Sequence, residues 1–390
     1  MYPHQAERLT AALERAGFEA FVATSPASIA YITGFRSLTD AISGTTQFAV
    51  FSRQGAALVV PAVDVPTIVA DAIDVGDILC FGELGAAFAQ AAVTAIRRIQ
   101  AIVNGRAAGP VEALAAALDR LEIRRGSVGV DDSGLTHETR QRLVDGLGAI
   151  RVTSAAAHLA AARRVKAPYE IECLGRALRI AEEALDAVIQ TADRGMTERE
   201  AANLYGVEVI KRGAWPQPAV IAMGEHAAIP APWPTDRALR RGDLVRFDVG
   251  SVYKGYHASL GRTAVLGEPT PSQELLYRAI QAGLEAAIAA VVPGAPAERV
   301  FEAGLTAVRT NGLPRYEGVH VGHGIGLEPT EAPKLMSGSD TAIEMGEVLT
   351  IQTPYYEIGS MGATVKDTVL VTSGGARVMN RSHRGLVILD

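Results

Sequence analysis

Cysteine is nearly absent. The 390 residues hold two, Cys80 and Cys173, far apart in the chain. That excludes a disulfide framework and a cysteine-based zinc motif, and it reads both as inert buried thiols. Long runs of one charge are missing too, and the net charge is -6. This argues against nucleic acid or an anionic membrane as a partner. No apolar stretch approaches the roughly 20 residues that span a bilayer. Tandem repeats and low-complexity segments are absent. The opening MYPHQAERLTAALERAG reads as an amphipathic helix and not as a signal peptide, so the expectation is a cytoplasmic protein.

What is present is the composition of a globular protein, 48% hydrophobic and 21% charged, with 39 Gly and 19 Pro. The length suits two domains. The first part alternates strand signals (EAFVATS, TQFAVFS, GAALVVPAV, SVGVDDS) with helical ones (ERLTAALERAGF, FAQAAVTAIRRIQAIV, GPVEALAAALDRLEI, THETRQRLVDGL). This predicts an α/β layer on a parallel or mixed sheet over 1–158. Pro168 then opens a long amphipathic helix. From 159 to 390 we expect an α+β domain with three long helices, near 169–191, 196–212 and 272–292. Between and after them lie strand runs such as LVRFDVGSV, GYHASLGRTAVL, EVLTIQTPYYEI and TVKDTVLVTS.

Polar residues collect inside these apolar strands. Asp248, Ser259, Arg262, His320, His323, Glu331, Gln352 and Lys366 are the candidates. A polar group in a buried strand costs free energy unless it is paired, so several from different strands suggest one shared polar site. Lys366 and Asp367 are adjacent in ATVKDTVLV and must point to opposite faces of an extended chain. His257 is expected on the outer face. The glycines of GHGIG allow a close approach beside His323.

The order and spacing of these segments resemble the creatinase / aminopeptidase P / prolidase family and its pita-bread fold. The matching stretches are KAPYEIECLGRA, PTDRALRRGDLVRFDVGSVYKGYHASLGRT, VGHGIGLEPTEAP, GEVLTIQTPYYEIG and KDTVLVTSGG, with TSPASIAYITGF in the N-terminal part. The resemblance implies a creatinase-like N-terminal α/β domain, a pita-bread α+β C-terminal domain, and a homodimer in which Arg36 reaches the other chain's cleft. Metal-dependent members hold two divalent ions with two aspartates, a histidine and two glutamates. At the matching positions this chain has Asp248, Ser259, His323, Gln352 and Lys366. One carboxylate and one ammonium stand where the family has four carboxylates. Hard divalent ions need anionic oxygen ligands, so we expect no metal and no other cofactor.

The family's further histidines fall on Ala231 and Thr330, with His226 and His320 nearby but out of register. The resemblance therefore implies a metal-independent, creatinase-like hydrolase. It would act on an amide or amidine C–N bond in a small amino-acid-like substrate. In that reading Asp248, Ser259, His323, Gln352 and Lys366 are catalytic, and His226, His320, Glu331, Tyr355 and Arg36 bind substrate. Tyr356 and Trp233 are further candidate walls of the pocket. Two other readings stand beside it: an inactive binding module, and a lyase or cyclase on the same fold. A protonated Lys366 suits an oxyanion or a carboxylate, a neutral one suits base or Schiff-base chemistry, and the sequence leaves both open.

Overall fold

The computed structural model describes residues 2–90 and 93–390. The chain forms two compact units, Met1–Arg163 and Arg164–Asp390.

In the first unit six strands form one sheet: β1 (Ala20–Ala23), β2 (Phe48–Ser52), β3 (Gly55–Pro61), β4 (Asp77–Phe81), β5 (Gly126–Val130) and β6 (Ile150–Ser154). Their order is β4-β3-β2-β1-β5-β6. The pairs β1–β2 and β2–β3 are antiparallel, and the others are parallel. Val22, Val50, Val59 and Val128 pack with Leu114 and Leu118 of the Pro110–Arg120 helix. The helix expected from FAQAAVTAIRRIQAIV is shorter than its pattern. It runs Thr94–Asn104, Phe88–Gln90 are not helical, and positions 91 and 92 lie outside the described residues.

The second unit holds β7 (Trp215–Pro216), β8 (Val220–Met223), β9 (Leu244–Tyr253), β10 (Tyr256–Leu266), β11 (His320–Gly324), β12 (Glu331–Met336), β13 (Val348–Gln352), β14 (Tyr355–Glu357), β15 (Met361–Ala363), β16 (Lys366–Thr372), β17 (Gly375–Val378) and β18 (Val387–Leu389). The main sheet runs β12-β11-β13-β16-β10-β9-β7, with β8 beside β9, β17 beside β16 and β18 beside β10. Within this unit only the β10–β18 pair is parallel among the described strands. This is the α+β pita-bread arrangement.

Alternation along each strand sorts the two faces. Val245, Phe247, Val249, Leu260 and Ala264 turn to a core shared with the helices Pro168–Thr191 and Glu198–Lys211. Leu349, Ile351, Val369 and Val371 turn to a second core under the helices Pro271–Ala290 and Ala297–Thr310. The last helix is a fourth long one beyond the three expected. It buries Val300, Phe301, Gly304 and Val308, a spacing readable in AERVFEAGLTAVRT.

Candidate active site

Strand register builds the site in the second unit. Asp248 on β9 pairs with Gly261 on β10, Gly261 with Lys366 on β16, and Lys366 with Gln352 on β13. Directly paired residues share a face, so Asp248, Lys366 and Gln352 stand in one row. The next row starts at Gly250, paired with Ser259, and ends at Thr350, paired with His323. Thr368 links the two halves of that row: it pairs with Thr350 and donates its hydroxyl to the Ser259 carbonyl at 3.1 Å. All five residues predicted as catalytic therefore meet on one face, opposite the apolar core.

Lys366 crosses that face. Its Nζ donates to Asp248 Oδ1 at 2.7 Å and to Ser259 Oγ at 3.2 Å. Gly261 leaves the path open, because a Cβ there would lie 2.9 Å from Lys366 Cβ and 3.0 Å from Thr364 Cγ2. Only 8% of the Lys366 side chain is exposed, against 27% for Asp248. Asp367 points the other way. Its carboxylate, fully buried, holds Arg262 at 2.9 Å and also Arg384. Arg262 belongs to that closed pair on the core side and not to the cleft.

His323 and His320 approach each other through an irregularity. The β11–β12 register shifts between them, so simple alternation fails, and their rings lie 6.1 Å apart. Gly322 sits at φ 150°, and a Cβ there would come within 1.9 Å of the Thr350 carbonyl oxygen. Only glycine fits that close approach. His323 Nδ1 donates to the Gly324 carbonyl at 2.8 Å, which leaves the lone pair on Nε2. Burial holds His323 well below its ordinary value of 6.5, at about 4, and the Lys366 charge pushes the same way. Burial lowers His320 too, helped by Lys366 and Lys334.

A stability dependence follows from these directions. A histidine depressed in the native chain stays neutral while the unfolded chain takes up a proton. Stability is then fully present above pH 6.5 and falls as the pH drops toward 4. His323 alone accounts for a loss on the order of 2–3 kcal/mol. Thermal melts at pH 7 and 4.5 are expected to show this fall, and His323→Asn is expected to flatten it. An unchanged slope in that variant would contradict the assignment.

Several candidates stand elsewhere. Glu331 is not free for substrate, because Lys166 Nζ donates to its Oε2 at 2.6 Å and both side chains are almost fully buried. His226 is held by Glu198, with Nδ1 2.8 Å from each carboxylate oxygen, and Glu198 also accepts from the Met223 and Thr235 amides. Tyr355 packs against the core beneath the Pro271–Ala290 helix. Its neighbour Tyr356 faces the site instead, with the Arg246 guanidinium 5.0 Å above its ring. Trp233 is 77% exposed and lines an outer hollow with Ala202, Gly206 and Pro216. Arg36 is exposed on the first unit. His257 was expected on the outer face, but residues two apart on one strand share a face, so it lies with Ser259. Arg246 and Thr364 were missed. For Arg246 the signal was there: an arginine in an apolar strand, two residues before Asp248.

The donor set does not suit the divalent ions that the family resemblance implies. Of the five matching positions only Asp248 offers a carboxylate, and an ammonium already occupies one of its oxygens. Lys366 has no lone pair to give in that state. Among the described residues no group of three or more His, Cys, Asp or Glu could hold a metal ion. None of the described helices is long and apolar enough to cross a membrane.

Comparisons with known proteins agree with the fold. The sequence profile of Metallopeptidase family M24 matches residues 172–373, and that of the Creatinase/Prolidase N-terminal domain matches residues 5–165. An Xaa-Pro dipeptidase of Pyrococcus furiosus is 32% identical over 228 residues, which are 58% of this chain and 65% of that protein. The match thus spans less than two-thirds of that relative's length. The solved structure of the dipeptidase PepE from Mycobacterium ulcerans superimposes with a TM-score of 0.80 at 26% identity, covering 99% of this chain and 97% of that one. The X-Pro aminopeptidase of Thermotoga maritima gives a TM-score of 0.82 at 21% identity, covering 98% and 99%, a likeness of fold alone.

Proposed function

The chain belongs to metallopeptidase family M24, and from that premise we propose that it hydrolyses a C–N bond of a small amino-acid-like molecule without a metal. One observation carries the reading: Lys366, at the position where the family resemblance implies a metal-binding glutamate, donates to Asp248 at 2.7 Å. The scissile group is an amide or amidine. His323 Nε2 takes a proton from water as the resulting hydroxide adds to the carbon. The Lys366 ammonium and the Ser259 hydroxyl stabilise the negative charge that develops. Gln352 orients the amide. The C–N bond then breaks, and His323 returns its proton to the leaving nitrogen. An ordinary Xaa-Pro metallopeptidase would need carboxylates where Ser259, Gln352 and Lys366 stand.

The test is turnover of a panel of N-acyl amino acids, lactams and guanidino acids after exhaustive chelation. We expect hydrolysis of at least one class, unaffected by chelator, and a loss of about 100-fold or more in His323→Asn. Turnover that disappears with chelator and returns with manganese or zinc would overturn the reading. The second reading, a binding module without turnover, is favoured by Ala231 and Thr330 at the positions of the two family histidines. It predicts that panel members raise the melting temperature yet are never cleaved.

A further inference from the structure

One buried cation on the cleft face has no acidic partner. Arg246 lies on β9 two residues before Asp248, opposite Thr263 and on the same side as Asp248. It is fully buried. Its Nε donates to the Ala227 carbonyl at 2.9 Å, and its Nη2 donates to the carbonyls of Ile229 and Pro230. All three acceptors are neutral. Nη1 is buried and has no partner. Such an orphan donor on a charged group is costly, and a native chain keeps one only where something else satisfies it.

The charge count on this face points the same way. Arg246 and Lys366 are positive. Asp248 is the nearby negative group, and Lys366 already holds it. Glu331 is spent on Lys166, and Asp367 on Arg262 and Arg384 beneath the sheet. His320 and His323 are both held toward the neutral form. Lys334, paired with His323, is also positive but exposed to solvent, so the buried charge left without an anion is that of Arg246.

A further polar atom on this face lacks a partner. Thr364 is tied to Thr263, the residue opposite Arg246, by hydrogen bonds of 2.9 Å in both directions, yet its own Oγ1 is buried and unpaired. That Oγ1 lies 3.2 Å from where a Gly261 Cβ would stand, with Lys366 Cβ 2.9 Å from the same point. Lys366 and Thr364 take up the space that a Gly261 side chain would fill, so the glycine lets Thr364 pack directly beside Lys366.

We propose that Arg246 Nη1 and Thr364 Oγ1, two unpaired donors on this face, form the recognition site for a substrate carboxylate. The substrate is then an anion derived from an amino acid, its carboxylate at Arg246 and its C–N bond toward Lys366 and His323. This rests on the hydrolase reading above only for the placement of the C–N bond. Carboxylate recognition is an equilibrium property and stands or falls without turnover.

The experiment compares N-acetylglycine with N-acetylglycinamide, which differ only in the carboxylate, by calorimetric titration of the full chain. Wild type is expected to bind the acid at least about tenfold more tightly than the amide, as a charge-assisted hydrogen bond implies. Arg246→Gln is expected to remove that preference. Because Arg246 also ties down the carbonyls of residues 227–230, its variant can fail to fold. Thr364→Val keeps the guanidinium, and it is expected to weaken the acid several-fold and leave the amide unchanged. Equal binding of acid and amide by wild type overturns the proposal whatever the variants do. So does a preference that survives Arg246→Gln and vanishes in Lys366→Met, which would place the carboxylate on the lysine. Carboxylate-selective binding with no cleavage of any panel compound would overturn the hydrolase reading and leave this one intact.

Discussion

Lys366→Met is expected to lower turnover by about two to three orders of magnitude, the usual loss when one stabilising donor is removed from a developing oxyanion. The cause is local. In the native chain the ammonium reaches Asp248 at 2.7 Å and Ser259 at 3.2 Å, and its side chain is 8% exposed. Methionine fills the volume without the charge. Asp248 then keeps a negative charge with its main donor gone, which should cost about 1–3 kcal/mol of stability. A second readout separates chemistry from folding. Lys366 is one of the charges that depress His323, so removing it should move the His323 titration upward from about 4. Proton NMR of the imidazole reads that shift directly. Wild-type turnover in a folded Lys366→Met protein would contradict the assignment of the ammonium to the oxyanion.

The largest expected gain comes from undoing the substitutions together. Ser259→Asp, Gln352→Glu and Lys366→Glu would place four carboxylates and His323 on one face, because Asp248 and these three positions already share adjoining rows. The triple variant is expected to bind about two manganese or zinc ions per chain at micromolar free metal. Lys366→Glu alone should bind far more weakly, since Asp248 and His323 would be its only helpers. Without metal the triple variant should be less stable than wild type, as clustered carboxylates repel. Calorimetric titration with manganese checks both statements. A triple variant that folds but binds no more metal than wild type would mean that the backbone of this cleft has moved away from a metal-binding geometry.

Much of this architecture was legible from strand periodicity. The opposite facing of Lys366 and Asp367 follows from their adjacency, and the structure sends one to the cleft and the other to Arg262 and Arg384. The convergence of Asp248, Ser259, His323, Gln352 and Lys366 followed from the family resemblance and from the cost of lone polar groups in apolar strands. The rest depended on long-range pairing, which local pattern does not contain. Glu331 meets Lys166 across 165 residues. Glu198 meets His226 from the start of another helix. His320 shares the neighbourhood of His323 only because β11 departs from its register. For Tyr355 and Tyr356 a short strand gives two equal choices, and cation–π contact with Arg246 selects the second. His257 and Arg246 are different. Parity within one strand placed both on the cleft face, and applying it consistently would have found them.

The central claim is that a lysine–aspartate pair has replaced metal in this cleft. The most direct measurement is elemental analysis of the freshly purified wild-type chain, with the triple variant prepared in parallel. The account predicts well under about 0.2 manganese, zinc or iron per wild-type chain, and about two per chain in the variant. About two ions per wild-type chain would contradict it.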